Sequence, residues 1–243
     1  MNKLFLILLV FACTACPTHN SIESPVTHLV GNLVINKPSD LDDPAIRAYK
    51  TLSGNLVINS PTIESIEELK NLEEVKGILI FKNPKLKSLD GLQNIQKADF
   101  LSIRDNKELQ SLAGLENLGM IDGDFSIDNN DHLTSLSHLN SLKKIGGLFY
   151  INDNRRLTNL NGLSNLAEVD EVIMLNNINL TNINGLNGIT SFSKMTFVSN
   201  DSLTDFCSLA NVLKGMADAQ SFGTIYNKYN PTIEDMQAGR CSE

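Results

Sequence analysis

The sequence predicts a mostly-β fold, a right-handed single-stranded β-helix with short helical caps at both ends. Three observations predict it. Most of the chain repeats at a nearly constant interval, a short alternating apolar segment occurs once per interval, and an asparagine holds one fixed place in each. A leucine-like residue recurs at Ile63, Leu86, Leu109, Leu133, Leu157, Leu180 and Leu203, in steps of 23, 23, 24, 24, 23 and 23. Whole units recur with it. NPKLKSLDGLQNI (83–95) returns as NKELQSLAGLENL (106–118), NRRLTNLNGLSNL (154–166) and NINLTNINGLNGI (177–189). PTIESIEELKNL (61–72) and GNLVIN, at 31 and again at 54, extend the array toward the N-terminus.

Each unit divides into two physical halves. One is a strand with alternating apolar residues, such as Leu101 and Ile103, Phe125 and Ile127, or Phe149 and Ile151. A period of two sends these inward and leaves their neighbours outside. The other half places an apolar residue at every third position: Leu86, Leu89, Leu92, Ile95 and Ala98, then Leu109, Leu112, Leu115, Leu118 and Ile121. That step is too tight for a regular helix stripe and suits a turning, largely extended wall that brings the chain round to the next strand. Coils of this kind stack at about 4.8 Å, so roughly eight of them make a rod on the order of 35–40 Å long.

Asn83, Asn106, Asn130, Asn154, Asn177 and Asn200 fall at the corner after each strand. A tight corner strands backbone N–H and C=O groups, and a stacked column of asparagines satisfies them. These six are therefore read as structural. Gly91, Gly114, Gly162 and Gly185 mark a second corner that wants a small residue or positive φ. The pattern L-x-I-x-x-N-x-x-L-x-x-L-x-G-L-x-x-L-x-x-I, over residues 31–212, is leucine-rich-repeat-like and resembles the receptor L-domain, the leucine-rich β-helix of growth-factor receptor ectodomains. It differs from ordinary leucine-rich repeats in the distance from Asn to Leu, Leu109 following Asn106 by three. The resemblance implies the solenoid fold and a general role in extracellular recognition.

The ends of such an array need sealing. SDLDDPAIRAYKTL (39–52) breaks the repeat and reads as a short helix, capped by Asp42 or Asp43 with Pro44 in its first turn. Residues 213–243 are expected to form the C-terminal cap, with Phe222, Ile225, Tyr226 and Tyr229 as a lid. A last helix follows Asn230-Pro231-Thr232 and stops at Gly239.

The N-terminus carries Asn2 and Lys3, the apolar run LFLILLVFA (4–12) and then Cys13-Thr14-Ala15-Cys16. The apolar run is too short for a permanent membrane span and reads as a secretory signal, residues 1–15. Its end resembles a bacterial lipobox, with Cys13 where Leu is usual and Cys16 as the acylated residue. Residues 16–30 then form the anchor and linker. The expected location is the bacterial outer membrane or cell surface, with the membrane touched through the lipid only; simple secretion is the alternative. With Cys13 removed and Cys16 acylated, Cys207 and Cys241 remain, and two cysteines in an exported protein form a natural pair.

The formal charge is −8, with acids and bases interspersed and no basic block, so nucleic acid is not expected as a partner. There is no GxSxG, HExxH, P-loop or dinucleotide fingerprint. His132 and His138 share a coil with Asp128 and Asp131, but their spacing matches no metal-ligand motif and reads as a solvated turn. DGDFSIDNND (122–131) lacks the Gly and terminal Glu of a calcium loop. No metal or cofactor is expected, and the protein is read as non-catalytic. The outward face of the strand wall is expected to run through Val34, Val57, Leu79, Ser102, Ser126, Tyr150, Met174 and Thr196. On it Leu79, Phe81, Tyr150 and Met174 leave apolar groups beside the charges of Arg104 and Asp128, a combination favoured at binding surfaces. The first reading is a binding or adhesion module for an unknown protein or glycan ligand outside the cytoplasm. An envelope spacer is the second, and a carbohydrate-active β-helix enzyme the third; coils of such constant length have no long loops to build a cleft.

Overall fold

The computed structural model describes residues 26–214 and 221–243, so the signal segment and Cys16 lie outside the described residues. The fold is mostly β. Its centre is an 11-stranded parallel sheet, nine of whose strands form one ladder in chain order. They are Leu33–Ile35, Leu56–Ile58, Gly77–Phe81, Phe100–Arg104, Phe125–Asp128, Lys144–Asn152, Glu168–Leu175, Lys194–Val198 and Phe222–Ile225. The register follows the repeat: Ile78, Leu101, Phe125, Phe149, Val172, Met195 and Phe222 pair in sequence and are all buried. β-branched and aromatic residues suit this half-buried pleated surface. Phe125 and Phe149 stack with centroids 5.1 Å apart, in the part of the array where the step between repeats lengthens by one.

The residues at every third position are buried too, Leu86, Leu89, Leu92 and Ile95 being 0% exposed like Leu109, Leu112, Leu115 and Leu118. Burying each such side chain contributes roughly 1.5–3 kcal/mol, so this aliphatic column carries much of the stability. The backbone here is more tightly turned than the extended wall expected from the pattern. Leu92 N–H donates to Leu89 O at 3.1 Å and Ile95 N–H to Leu92 O at 3.1 Å. Single 3-10 turns form at Glu67–Leu69, Ser137–Leu139, Asn184–Leu186 and Cys207–Leu209. Three residues per turn bring every third side chain to the same side, which is the physical origin of the three-residue step.

The asparagine column forms a continuous ladder. Asn106 Oδ1 accepts from the backbone N–H of Asn83 at 3.1 Å and from its Nδ2 at 2.9 Å. Asn106 Nδ2 reaches back to Ile80 O at 3.0 Å and forward to Asn130 Oδ1 at 3.2 Å. The same pattern continues through Asn154, Asn177 and Asn200, all 0% exposed. The ladder runs beyond the six residues read from the sequence. Ser60 N–H starts it on Asn83 Oδ1 at 2.7 Å, while Asn227 Oδ1 accepts from Asn200 and Asn230 closes it. The residue before each of these asparagines sits in the left-handed region: Lys82, Asp105, Asn129, Asp153, Asn176, Ser199 and Tyr226, with φ between 50° and 59°. A second, exposed amide column staples the opposite corner, with Asn71, Asn94, Asn117 and Asn165 each donating to a backbone carbonyl of the preceding repeat.

At the N-terminal end Asp43 caps the helix Pro44–Ala48 by accepting from Ala45 N–H, and Leu41 and Ile46 are buried over the first repeat. Asp40 accepts from the backbone N–H of Asn36 and Lys37, occupying donors at the end of the edge strand. At the C-terminal end Thr232 caps the helix Ile233–Gln237, and Gly239 follows with φ +80°. Phe222 is buried against Phe197 and Phe206, and Tyr229 packs at the rim of the core. Ile225 and Tyr226, expected in the lid, instead face out at 53% and 77% exposure. Ile225 continues the outer column of the sheet beside Val198, and Tyr226 occupies the left-handed corner, where the side chain turns away from the core.

Cys207 and Cys241 form a disulfide, with their Cα atoms 4.8 Å apart. It ties the tail to the last repeat, where Phe206 N–H also donates to Cys241 O at 2.9 Å. A bridge across 34 residues is worth about 3–4 kcal/mol in the chain-entropy model. Cys207→Ser with Cys241→Ser is expected to fray this end first, because repeat arrays lose stability locally. Hydrogen exchange should show lost protection confined to the residues around Phe206 and Ile233. Uniform loss along the whole array would contradict this.

Candidate functional site

The outward side chains of the sheet form three parallel columns set by the strand register. The middle column reads Val34, Val57, Leu79, Ser102, Ser126, Tyr150, Ile173 and Thr196. Leu79, Phe81, Arg104, Asp128 and Tyr150 lie on this face as the alternation indicates. Met174 does not; it is 0% exposed in the core, and Ile173 pairs with Tyr150 in its place. Val172, Ile173, Met174 and Leu175 are apolar on both faces of the strand, so alternation there carries no in-or-out information. The repeat step also shortens by one at this point, which moves the outward position from Met174 to Ile173.

The next column over reads Phe81, Arg104, Asp128, Asn152, Leu175, Val198 and Ile225. The Arg104 guanidinium carbon lies 6.0 Å from the Phe81 ring centroid, and its Nε is 3.7 Å from an Asp105 carboxylate oxygen. Asn152 Nδ2 donates to Asp128 Oδ1 at 2.7 Å, and Asn176 Nδ2 donates to Asn152 Oδ1 at 3.1 Å. In the middle column Ser126 Oγ donates to Ser102 Oγ at 2.9 Å. Burial, followed by the negative charge of Asp128, raises the Tyr150 phenol above its ordinary value, so it remains a hydrogen-bond donor through the physiological range. The third column contains Phe100, whose ring covers Gly77 so closely that any Cβ there would overlap it. It also contains Asp124, which accepts from Leu148 N–H at 2.9 Å across a bulge at Gly146 and Gly147.

Two apolar patches result. One is built from Val57, Leu79, Phe81 and Phe100, the other from Leu148, Tyr150, Ile173, Leu175 and Val198. Between them lies a polar band two strands wide. Sequence alternation found the middle column except at Met174 but not Phe100, Leu148 or Leu175: Phe100 and Leu175 are the first and last residues of their strands, and Leu148 follows the bulge that resets the count.

The oxygen-rich stretch 122–131 is occupied by the protein's own cations. Lys107 Nζ lies 2.6 Å from Asn129 Oδ1 and 2.8 Å from Asp131 Oδ2, and Lys97 Nζ lies 2.7 Å from Asp122. His132 Nδ1 faces Glu108 at 3.5 Å, while His138 Nδ1 is buried without a hydrogen-bond partner among the described residues. Among the described residues no group of His, Cys, Asp and Glu is arranged to hold a metal ion. No described helix is long and apolar enough to cross a membrane. A scan against protein-family models gives no match, and no curated protein matches the chain.

Proposed function

We propose that this chain is an exported, lipid-anchored, non-catalytic recognition module. In this reading its repeats close into a right-handed solenoid of the receptor L-domain kind, and the outer face of its sheet binds a protein or glycan outside the cytoplasm. The observation that carries this reading is the pair of apolar patches held in register on a rigid sheet. A purely solvated sheet face is polar at such positions, whereas aromatic and arginine side chains on a regular wall are the composition of binding surfaces. The disulfide is compatible with an oxidising, exported setting.

Tyr150→Ala and Phe81→Ala are expected to weaken capture of the partner from envelope or extracellular fractions at least about tenfold, the usual effect of removing an aromatic anchor. Their thermal midpoints should stay near that of the parent, because both side chains lie outside the core. Capture that survives both changes, but fails in Lys87→Glu on another wall, would place recognition elsewhere. Capture indifferent to all three favours a spacer.

The anchor is tested separately. Cys16→Ala should move the protein from the detergent phase to the aqueous phase, since stable attachment needs more than one acyl chain. A parent protein that already partitions to the aqueous phase with a free N-terminal amine contradicts the anchor.

A further inference from the structure

We propose that the polar band of the outer face, floored by Ser102 and Ser126, is a subsite for one ring of a neutral glycan. This rests on the reading of that face as the recognition surface. The two serines are the smallest side chains in the middle column between Leu79 and Tyr150. They leave a dip between the two apolar patches, about 14 Å from backbone to backbone across three strand spacings. Phe81 with Leu79 flanks it on one side and Tyr150 with Leu148 on the other. Phe100 does not fill it, because its ring is folded the other way over Gly77.

The polar groups around the dip have capacity to spare. Ser126 donates to Ser102, so the Ser102 hydroxyl proton is free to donate. Asp128 uses one carboxylate oxygen for Asn152 and leaves the other facing solvent. Tyr150 Oη and the Arg104 Nη atoms have no hydrogen-bond partner among the described residues. Planar Arg and carboxylate groups with paired donors and acceptors match the adjacent hydroxyls of a pyranose, and an aromatic flank covers its C–H face. A protein partner is a poorer fit to this stretch, since it favours a continuous apolar centre and here the apolar area is split by two polar strands. Charge selects among glycans. Among the described residues Arg104 is the one cation in the outward columns on the two strands of the dip, against the carboxylates of Asp124 and Asp128, so a polyanionic chain is disfavoured.

The test is titration calorimetry of the mature chain with short oligosaccharides of glucose, galactose, mannose and N-acetylglucosamine, alongside uronic-acid and sulfated counterparts. At least one neutral member should bind, and the charged counterparts should bind more weakly. Ser126→Leu, which fills the dip on a face where Leu79 is already tolerated, should lower that affinity at least about tenfold. Tyr150→Ala should do the same, while Tyr150→Phe keeps the flank and most of the affinity, and Lys87→Glu leaves it unchanged. Thermal midpoints establish that each variant is folded. Binding by no neutral member, or binding that survives Ser126→Leu, overturns the proposal. If macromolecular capture still depends on Tyr150 in that case, the recognition face stands and only the glycan subsite falls.

Discussion

Asn130→Ala is expected to destabilise the protein by about 3–5 kcal/mol, a large fraction of what a domain possesses. The alanine removes the acceptor used by Asn106 N–H at 3.1 Å and by Asn106 Nδ2 at 3.2 Å. Both groups belong to the buried corner, and each orphaned polar group costs roughly 1–3 kcal/mol where no water replaces the partner. Asn130→Asp sharpens the point. It keeps the acceptor but loses the donor and places a carboxylate in a fully buried column. Burial raises the folded-state pKa of that carboxylate above its unfolded value of about 3.9, so the penalty grows as pH rises through this interval and shrinks in acid. Denaturant unfolding at several pH values measures this. A loss below about 1 kcal/mol for the alanine variant would mean that the ladder is decoration on a fold held by its leucines.

The second large effect is at Gly114, and two other glycines divide it into its causes. Gly114 has φ +104°, and a Cβ built there lies 2.0 Å from Leu89 O in the preceding repeat. Gly31 has φ +114° with nothing within 4 Å of such a Cβ. Gly185 lies outside the positive-φ region, yet its Cβ falls 1.9 Å from Leu160 O. Alanine at Gly31 is therefore expected to cost only the backbone strain, about 1–2 kcal/mol. Alanine at Gly185 costs the forced separation of two repeats, about 1–3 kcal/mol, and alanine at Gly114 both together. Thermal or denaturant midpoints should rank the three with Gly114→Ala lowest. If Gly31→Ala proves as damaging as Gly114→Ala, close packing between repeats is not what holds the corner.

Much of this arrangement is legible in the sequence because it is periodic. The apolar columns and six ladder asparagines recur at the same interval, and each recurrence strengthens the others. What breaks the period is what spacing hides. Ser60 keeps the interval, 23 residues before Asn83, but lacks an amide, and Asn227 stands 27 residues beyond Asn200, so a column of asparagines at the repeat interval misses both ends. Met174 resists placement because the strand around it is apolar on both sides. The strands Lys144–Asn152 and Glu168–Leu175 run through a corner that elsewhere interrupts pairing, with the glycine bulge absorbing the bend. The outer face is harder to read than the core, since alternation reports which side chains turn outward but not where their tips lie. The dip over Ser102 and Ser126 depends on Phe100 lying over Gly77, a choice of side-chain direction that spacing does not encode.

The amide ladder also has a direction. In every rung the backbone N–H donates toward the C-terminus, from Ser60 N–H through to Asn227 N–H on Asn230, whose Nδ2 turns back to Asn227 O at 2.8 Å. Interior rungs are interchangeable, but the two terminal residues are not: one only begins the sequence of bonds and the other only ends it. The molecule is thus assembled like a ruler with fixed end-stops. A whole unit copied into the middle should splice in with all its bonds matched, lengthening the sheet by about 4.8 Å. Removal of the last unit discards the terminator and leaves an amide with nothing to receive its proton. Gene duplication can therefore set the length of this protein without redesigning either end.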